Sequence, residues 1–296
     1  MKWRYDMTSL TGPCIAMVFC FNERMLMKKT LLSLAVLLLA LTGCTPKTEE
    51  DTIIVGLECN YTPFNWTTVT SESDSAVKID EEGAGYCDGY DIVVAQAIAD
   101  GLGKTLVVKK IAWDGLISAL NEGEIDMIVA GMTDTEERRQ SVSFTTPYYA
   151  SDLVMVVKAD SALANATTLA DFTGTSVIAQ FETFHDDLVD QIPSVNHLTP
   201  LNSASLLVNA VKVGEADAMV TEYPVALSIT STNADLAIVQ FADGQGFTTS
   251  FEETTVSVAL RKADTDLLAD INAILADIDE ATRSQWMADA IARKPE

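Results

Sequence analysis

Gly131, Thr133 and Arg138 are the residues of this sequence whose types and spacing best suit the binding of a carboxylate. They follow an apolar run that ends at Ala130 and reads as a buried strand, and open α/β sheets bind ligands beyond the carboxyl ends of such strands. Glycine lets a ligand approach the backbone, threonine donates a hydrogen bond, and the planar arginine fork matches both carboxylate oxygens. The pattern predicts a site for a small carboxylate-bearing molecule, although a solvated Arg138 explains the same residues without a ligand.

The surrounding pattern occurs twice in the chain. Leu116–Val129 and Leu207–Val220 each read as an amphipathic helix, a glycine-containing turn and a buried strand, so they predict two α/β lobes built alike. In this alignment Glu222 corresponds to Gly131. If the lobes face each other, Glu222 points into the same cleft as Arg138. An arginine for a carboxylate and a glutamate for an ammonium group together describe an amino acid.

The elements that must position these residues are also visible in the pattern. Strands at 151–158 and 254–260 carry the chain out of the first lobe and back, which predicts a hinge of two crossings. The predicted first lobe comprises residues 52–151 and 253–296, and the second comprises residues 152–252. Further predicted elements are strands at 52–58 and 106–111, helices at 91–102, 183–192, 267–280 and 282–292, and a long polar loop at 62–89.

The amino-terminal region has the three parts of a secretory signal: Met27–Lys29 is charged, Leu31–Leu41 is apolar, and small residues precede Cys44. The apolar run is too short to span a membrane. A cysteine in this position resembles the bacterial lipoprotein signature, which implies lipidation of Cys44 and retention on the outer face of the cell membrane. We therefore expect residues 1–43 to be an upstream extension and signal, and 44–51 to be a lipidated tether. The alternative is an ordinary signal with an incidental cysteine.

Composition narrows the partners and the chemistry. The formal net charge of −24 makes nucleic acid and anionic membrane surfaces poor partners. Cys59 and Cys87 either form a disulfide in an oxidising setting or remain two buried thiols. Neither His185 nor His197 has a partner spacing that suggests a metal site, so we expect no metal and no cofactor.

Two stretches carry a resemblance to a known family. GYDIVVAQAIADGLG at 89–103 and WDGLISALNEGEIDMIVAGMTDTEERRQSVSFTTPYYASDLVMVVK at 113–158 resemble the polar-amino-acid-binding proteins of ABC importers, the extracellular solute-binding proteins of family 3. The similarity covers residues 51–292. It implies an α/β, two-lobed fold of the type II periplasmic-binding-protein kind, with a two-strand hinge and a ligand cleft between the lobes. It also implies a monomeric, extracytoplasmic lipoprotein that delivers a free amino acid to an ABC permease and is not an enzyme.

The resemblance assigns roles to residues of this sequence. It implies that Tyr61 stacks on the ligand, and that Gly131, Thr133 and Arg138, with Met132 between them in the motif, hold the α-carboxylate.

The second lobe departs from the family pattern at two places. Glu222 corresponds to the acid that holds the α-ammonium, where the family commonly has aspartate. Thr183 stands where the family often has Gly-Thr or Gly-Ser, and it remains a candidate donor to the carboxylate.

Ligand specificity depends on Glu58, which lies where members that bind basic amino acids carry an acid. Its carboxylate would pair with a side-chain ammonium or guanidinium group, and the alternative is an acid paired with a protein base or water. Trp66, Trp113 and Phe184 are candidates for lining the side-chain pocket, although core packing also explains Trp113.

These residues predict a cationic amino acid (Arg, Lys or His) as the ligand. The alternatives are glutamine or another polar amino acid, and an extracellular enzyme on the same scaffold that resembles cyclohexadienyl dehydratase.

Overall fold

A computed structural model describes residues 51–71 and 73–295. The predicted signal at 1–43, and the tether with its lipidated Cys44 up to residue 50, lie outside the described residues. None of the helices within the described ranges is long and apolar enough to cross a membrane.

The strands of the described chain are short and form two main sheets and two smaller ones. In chain order they are β1 (Thr52–Leu57), β2 (Asn60–Tyr61), β3 (Asn65–Thr68), β4 (Val77–Lys78), β5 (Tyr86–Asp88), β6 (Thr105–Lys110), β7 (Met127–Ile128), β8 (Val142–Phe144), β9 (Tyr149–Ala150), β10 (Leu153–Lys158), β11 (Ser176–Ile178), β12 (Asn196–His197), β13 (Ala218–Glu222), β14 (Leu236–Val239), β15 (Thr255–Val256) and β16 (Ala259–Arg261).

Each main sheet forms the centre of one lobe. The first sheet has the order β6-β1-β7-β16-β8, in which β6, β1 and β7 are parallel and β16 is antiparallel to both of its neighbours. The second sheet has the order β12-β11-β13-β10-β14, in which β12, β11 and β13 are parallel and β10 is antiparallel to β13 and β14. The predicted two-lobed α/β architecture is therefore present.

The chain passes between the lobes beside a short antiparallel pair of strands. β9 pairs with β15 through Tyr149 with Val256 and Ala150 with Thr255. The chain continues from β9 into the second sheet and returns from β15 to the first. This pair is the two-strand hinge of the fold.

The helices are α1 (Tyr90–Gly101), α2 (Leu116–Glu122), α3 (Phe184–Val189), α4 (Ala204–Val213), α5 (Tyr223–Thr232), α6 (Thr265–Ala276) and α7 (Glu280–Arg293), with 3₁₀ turns at Trp113–Gly115, Arg138–Gln140, Ala162–Asn165, Leu169–Phe172 and Glu252–Thr254. The two copies of the sequence repeat fold alike, since α2 leads to β7 and α4 leads to β13. Each of these helices ends at a glycine in the left-handed region, Gly123 and Gly214, both with φ of 80°.

The apolar cores of the second lobe follow from the alternation of side chains along its strands. Along β10, Val154 and Val156 join one apolar cluster of the second lobe, while Met155 and Val157 join another. Alternate residues of a strand point to opposite faces, so this strand is buried on both sides by helices and loops of its lobe. A third, larger cluster fills the first lobe.

The segment at 62–89 differs from the predicted long loop. It contains β3, β4 and β5, which form a four-stranded antiparallel sheet with β2. Cys59 and Cys87 are joined in a disulfide with a Cα–Cα distance of 5.7 Å, which fastens this sheet to the end of β1. Strands of two to four residues give too little alternation to be recognised in a polar sequence.

Gly123→Ala should destabilise the protein by about 1–2 kcal/mol, because a left-handed φ is unfavourable for a residue with a Cβ atom. The added methyl group would meet no atom within 4 Å, so the loss would measure backbone strain alone. Gly123→Asn is the matched control and should cost less, since asparagine tolerates this conformation. Urea unfolding of the three proteins measures the difference, and equal stability of Gly123→Ala and the parent protein would contradict the assignment.

Candidate ligand-binding site

A cavity between the two lobes gathers most of the residues that the sequence singles out. The first lobe contributes Glu58, Tyr61, Trp113, Gly131, Thr133 and Arg138, and the second contributes Gln180, Thr183, Phe184, His185 and Glu222. These positions are far apart in the sequence, and each lies at or just beyond the end of a strand or at the start of a helix. The cavity therefore lies at the edge where α/β folds bind ligands.

Tyr61 and Glu222 connect the lobes at the floor of the cavity. The Tyr61 hydroxyl donates a hydrogen bond to Oε2 of Glu222, and both side chains are buried. Burial raises the pKa of Glu222 to about 7. The same burial, together with the charge of Glu222, raises the pKa of Tyr61 well above its usual value. Within the described residues the Glu222 carboxylate has one hydrogen-bond donor, which is neutral, so it is poorly compensated and would gain from a cationic partner.

Arg138 also connects the two lobes at the cavity. Its Nη1 donates to the carbonyl of Thr133 at 2.8 Å, and its Nη2 donates to the carbonyl of Glu182 in the second lobe at 2.9 Å. The guanidinium carbon lies 5.1 Å from the centre of the Trp113 ring, a cation–π distance. Burial lowers the pKa of Arg138 to about 10, which still leaves the group charged at neutral pH.

Gly131 permits a close approach that would strain a residue with a Cβ atom. Its φ is 61°, and a Cβ atom there would lie 3.2 Å from Cε1 of Tyr61. The strand end that carries Gly131 is fixed by a buried network, in which the Gly131 amide donates to the Tyr148 hydroxyl and that hydroxyl donates to Oδ1 of Asp91. Asn65 donates to the other oxygen of Asp91 at 2.8 Å.

Glu58 carries a buried carboxylate without a hydrogen-bond or ion-pair partner in the described part of the chain. It follows β1, its side chain is 7% exposed, and its carboxylate has no hydrogen bond or ion pair to any residue in the described part of the chain. Burial raises its pKa to about 7, the charge of Asp91 adds to this shift, and Lys110 opposes it. The alternative of an acid paired with a protein base is therefore not seen among the described residues.

The family of the chain follows from comparison with known proteins. Residues 53–289 match the model of the bacterial extracellular solute-binding proteins, family 3. The chain belongs to this family. An amino acid ABC transporter substrate-binding protein from Streptococcus pneumoniae, solved with L-arginine, is similar with a TM-score of 0.71 and 27% identity, covering 82% of this chain and 95% of that one.

Relatives found by sequence similarity are also named for the binding of amino acids. The arginine-binding extracellular protein ArtP of Bacillus subtilis (strain 168) is 28% identical over 263 residues, which cover 86% of this chain and 94% of the relative. The L-cystine-binding protein TcyJ of Escherichia coli (strain K12) is 28% identical over 233 residues, covering 78% and 79%. A probable histidine-binding protein of Campylobacter jejuni is 33% identical over 207 residues, covering 68% and 73%. The chain is an amino-acid-binding component of an ABC transporter.

Two predicted site residues of this solute-binding protein lie away from the cavity. Trp66 is buried in the first lobe, where its ring packs 5.8 Å from the guanidinium carbon of Arg293. Met132 is also buried in that core. Thr183 does line the cavity, but its hydroxyl donates to the carbonyl of Gln180 at 2.8 Å, so its proton is already engaged.

Sequence reasoning missed Gln180 and His185 as cavity residues, and it missed the support that Asp91 and Tyr148 give to Gly131. An acid in the first turn of an otherwise apolar helix was the available signal for Asp91. In the described ranges no group of three or more His, Cys, Asp or Glu side chains could hold a metal ion.

Tyr148→Phe should destabilise the solute-binding protein by about 1–3 kcal/mol, because it leaves the Gly131 amide and one oxygen of Asp91 buried without their partner. Tyr149→Phe is a matched control on the next residue, since Tyr149 is less buried and its hydroxyl makes no hydrogen bond to the described residues. Urea denaturation at pH 7 gives both values. A loss for Tyr148→Phe no greater than that for Tyr149→Phe would contradict the role of the network.

Proposed function

We propose that this protein binds a cationic amino acid, arginine, lysine or histidine, by closure of its two lobes and delivers it to the permease of an ABC importer. Glu58 is the observation that carries the choice of a cationic ligand. An unpaired carboxylate buried in a cavity is unfavourable unless a cation joins it, and the described residues supply none within ion-pair distance. The relatives named for arginine and for histidine support the same choice.

The backbone of the amino acid would be held at two points. Arg138 would turn one or both of its N–H groups from the carbonyls of Thr133 and Glu182 to the α-carboxylate, a bidentate pairing that suits its geometry. Glu222 would exchange the Tyr61 hydroxyl for the α-ammonium group, which returns a charged partner to a buried carboxylate. Tyr61 would then be free to stack on the ligand.

Closure of the lobes links binding to transport. In this structure the lobes already touch, because Trp113 and Arg138 of the first lobe both donate to the carbonyl of Glu182 in the second. Ser205 also donates to Oδ1 of Asn60 at 3.3 Å across the cleft. A ligand that contacts Arg138 and Glu222 together binds the closed form more tightly than the open form, and this difference shifts the equilibrium toward closure.

The remaining assignments belong to the same proposal. We place the lobes at residues 52–151 with 253–296 and at 152–252, and the lipidated Cys44 with the tether 44–51 behind a signal that ends at residue 43. The protein would act as a monomer on the outer face of the cell membrane, without catalysis.

Glutamine or another polar amino acid is the second candidate. Because the pKa of Glu58 lies at about 7, a protonated Glu58 is accessible near neutral pH and would hydrogen-bond a neutral amide side chain. The relative named for L-cystine also supports a ligand other than arginine, lysine or histidine.

Glu58→Gln should weaken the binding of L-arginine by about 2–5 kcal/mol and change the binding of L-glutamine far less, because the substitution removes a buried charge partner and keeps the shape. Glu81→Gln is the matched control, since Glu81 is an exposed acid on the groove outside Glu58. Isothermal titration calorimetry at pH 8 measures both ligands on all three proteins. Equal losses for the two amino acids would remove Glu58 from the specificity argument.

The affinity for L-arginine should rise with pH between 6 and 8 and then level off. The pKa of both Glu58 and Glu222 is about 7 in the free protein, and a bound cation favours the ionised form, so binding below pH 7 must release protons. Arg138 stays charged throughout this range.

Calorimetry in two buffers of different ionisation enthalpy counts the protons released at pH 6.5. Glu58→Gln should release fewer protons than the parent protein, because Glu222 alone then titrates. Binding that takes up protons at this pH, or that strengthens as the pH falls, would contradict the assignment.

A further inference from the structure

His185 is the second residue of α3 and lines the cavity between the lobes. Its side chain is 6% exposed, and its Nε2 atom is buried without a hydrogen-bond partner among the described residues. A buried polar atom left unpaired is unfavourable, so such atoms are nearly always paired in native proteins. Because His185 is one of the residues that line the cavity, we infer that a bound molecule provides the partner of this nitrogen.

The charges around His185 define the kind of partner. Burial and the positive charge of Arg138 lower the pKa of His185 to about 3, so the ring is neutral at physiological pH. A neutral imidazole has one N–H donor and one acceptor nitrogen. Because Arg138 makes this side of the cavity positive, a ligand oxygen that carries negative charge suits both groups, and the imidazole would meet it as an N–H donor.

We propose that Nε2–H of His185 donates a hydrogen bond to the α-carboxylate of the bound amino acid and thereby determines specificity for an intact carboxylate. This inference rests on the proposed amino-acid ligand and adds to it a donor from the second lobe. Thr183 does not compete for the role, because its hydroxyl proton is directed to the carbonyl of Gln180. Held by Arg138 from the first lobe and by His185 from the second, the carboxylate itself draws the lobes together.

The ring is placed for this role by its neighbour. The Phe184 ring lies 4.4 Å from the imidazole, centre to centre, and the imidazole is itself buried. In this arrangement the imidazole is pre-oriented, and little entropy is lost when the hydrogen bond forms.

The chain allows a matched set of variants. His185→Leu keeps an apolar side chain of similar bulk and removes the donor, whereas His185→Gln restores an N–H near the position of Nε2. His197→Gln is the control, because His197 is the only other histidine of the sequence and pairs with Asp186 and Asp190 at the surface of the second lobe. His185→Leu also removes a buried unpaired atom, so the free protein should be no less stable than the parent.

Isothermal titration calorimetry of these proteins would use L-arginine and L-argininamide, which lacks the carboxylate charge. We expect His185→Leu to weaken the binding of L-arginine about 10- to 100-fold and the binding of L-argininamide by a much smaller factor. His185→Gln should retain most of the affinity for L-arginine. His197→Gln should leave both ligands unchanged. If the parent protein binds L-glutamine and not L-arginine, L-glutamine and its α-amide take their place.

The outcomes separate the two proposals. A parent protein that binds none of the twenty amino acids overturns the proposed function and this inference together. Two results overturn the inference alone when the parent protein binds one of the amino acids. In the first, His185→Leu binds that amino acid equally well; in the second, it loses affinity for the amino acid and for its α-amide by the same factor.

A nuclear magnetic resonance measurement covers the case in which His185→Leu does not fold. With two histidines in the sequence, the ¹⁵N imidazole signals of the parent protein are assigned by comparison with His197→Gln. Addition of L-arginine, or of L-glutamine where that is what binds, should shift the Nε2 signal of His185 and show a proton on Nε2. Unchanged His185 signals at saturation would overturn the inference.

Discussion

The structure depends on two carboxylates that are buried in a cavity where the protein gives them too little compensation. Burial raises the pKa of Glu58 and of Glu222 from 4.5 to about 7, so at pH 8 each ionised carboxylate destabilises the folded protein, relative to the unfolded chain, by about 3 kcal/mol. Because these pKa values are raised, the folded protein without ligand is stabilised relative to the unfolded chain below pH 4.5. It loses that stabilisation as the pH rises through 7. A ligand with two positive groups would restore the charge compensation that burial takes from the two carboxylates. The destabilisation of the empty site would then add to the affinity for such a ligand.

The fold places these two carboxylates on different lobes. Glu58 and Arg138 belong to the lobe of the first sheet, while Glu222 ends β13 in the second. The carboxylate-binding segment also contacts the hinge, because Thr133 forms a β-bridge with Val256 of β15 and the Ser257 amide donates to the carbonyl of Met132. A ligand that binds to Arg138 would therefore lie near the hinge strands about which we propose that the lobes close.

Much of this arrangement was predictable from the sequence, because periodicity and a local motif carry it. The repeated helix, glycine and strand gave the two lobes, and Gly131, Thr133, Arg138 and Glu222 follow from where those strands end. The small sheet at 62–89 was missed since its strands are too short to show a period. The contacts of Tyr148 with Asp91, and the unpaired nitrogen of His185, are made between distant segments or by side-chain orientation, which no local pattern encodes. Trp66 was a candidate for the side-chain pocket but lies in the core of the first lobe. An aromatic residue near the first strand suits either place, so the sequence did not distinguish them.

The central claim is that a cationic amino acid completes the cavity, and a thermal-stability scan of residues 45–296 against the twenty amino acids tests it most directly. A ligand present at about a hundred times its dissociation constant adds ~2.7 kcal/mol to the free energy of unfolding, which is a readily measured shift. We predict that arginine, lysine or histidine raises the melting temperature at pH 8 and that the other amino acids do so weakly or not at all. A larger shift with glutamine or another uncharged amino acid, or no shift with any of the twenty, would contradict it.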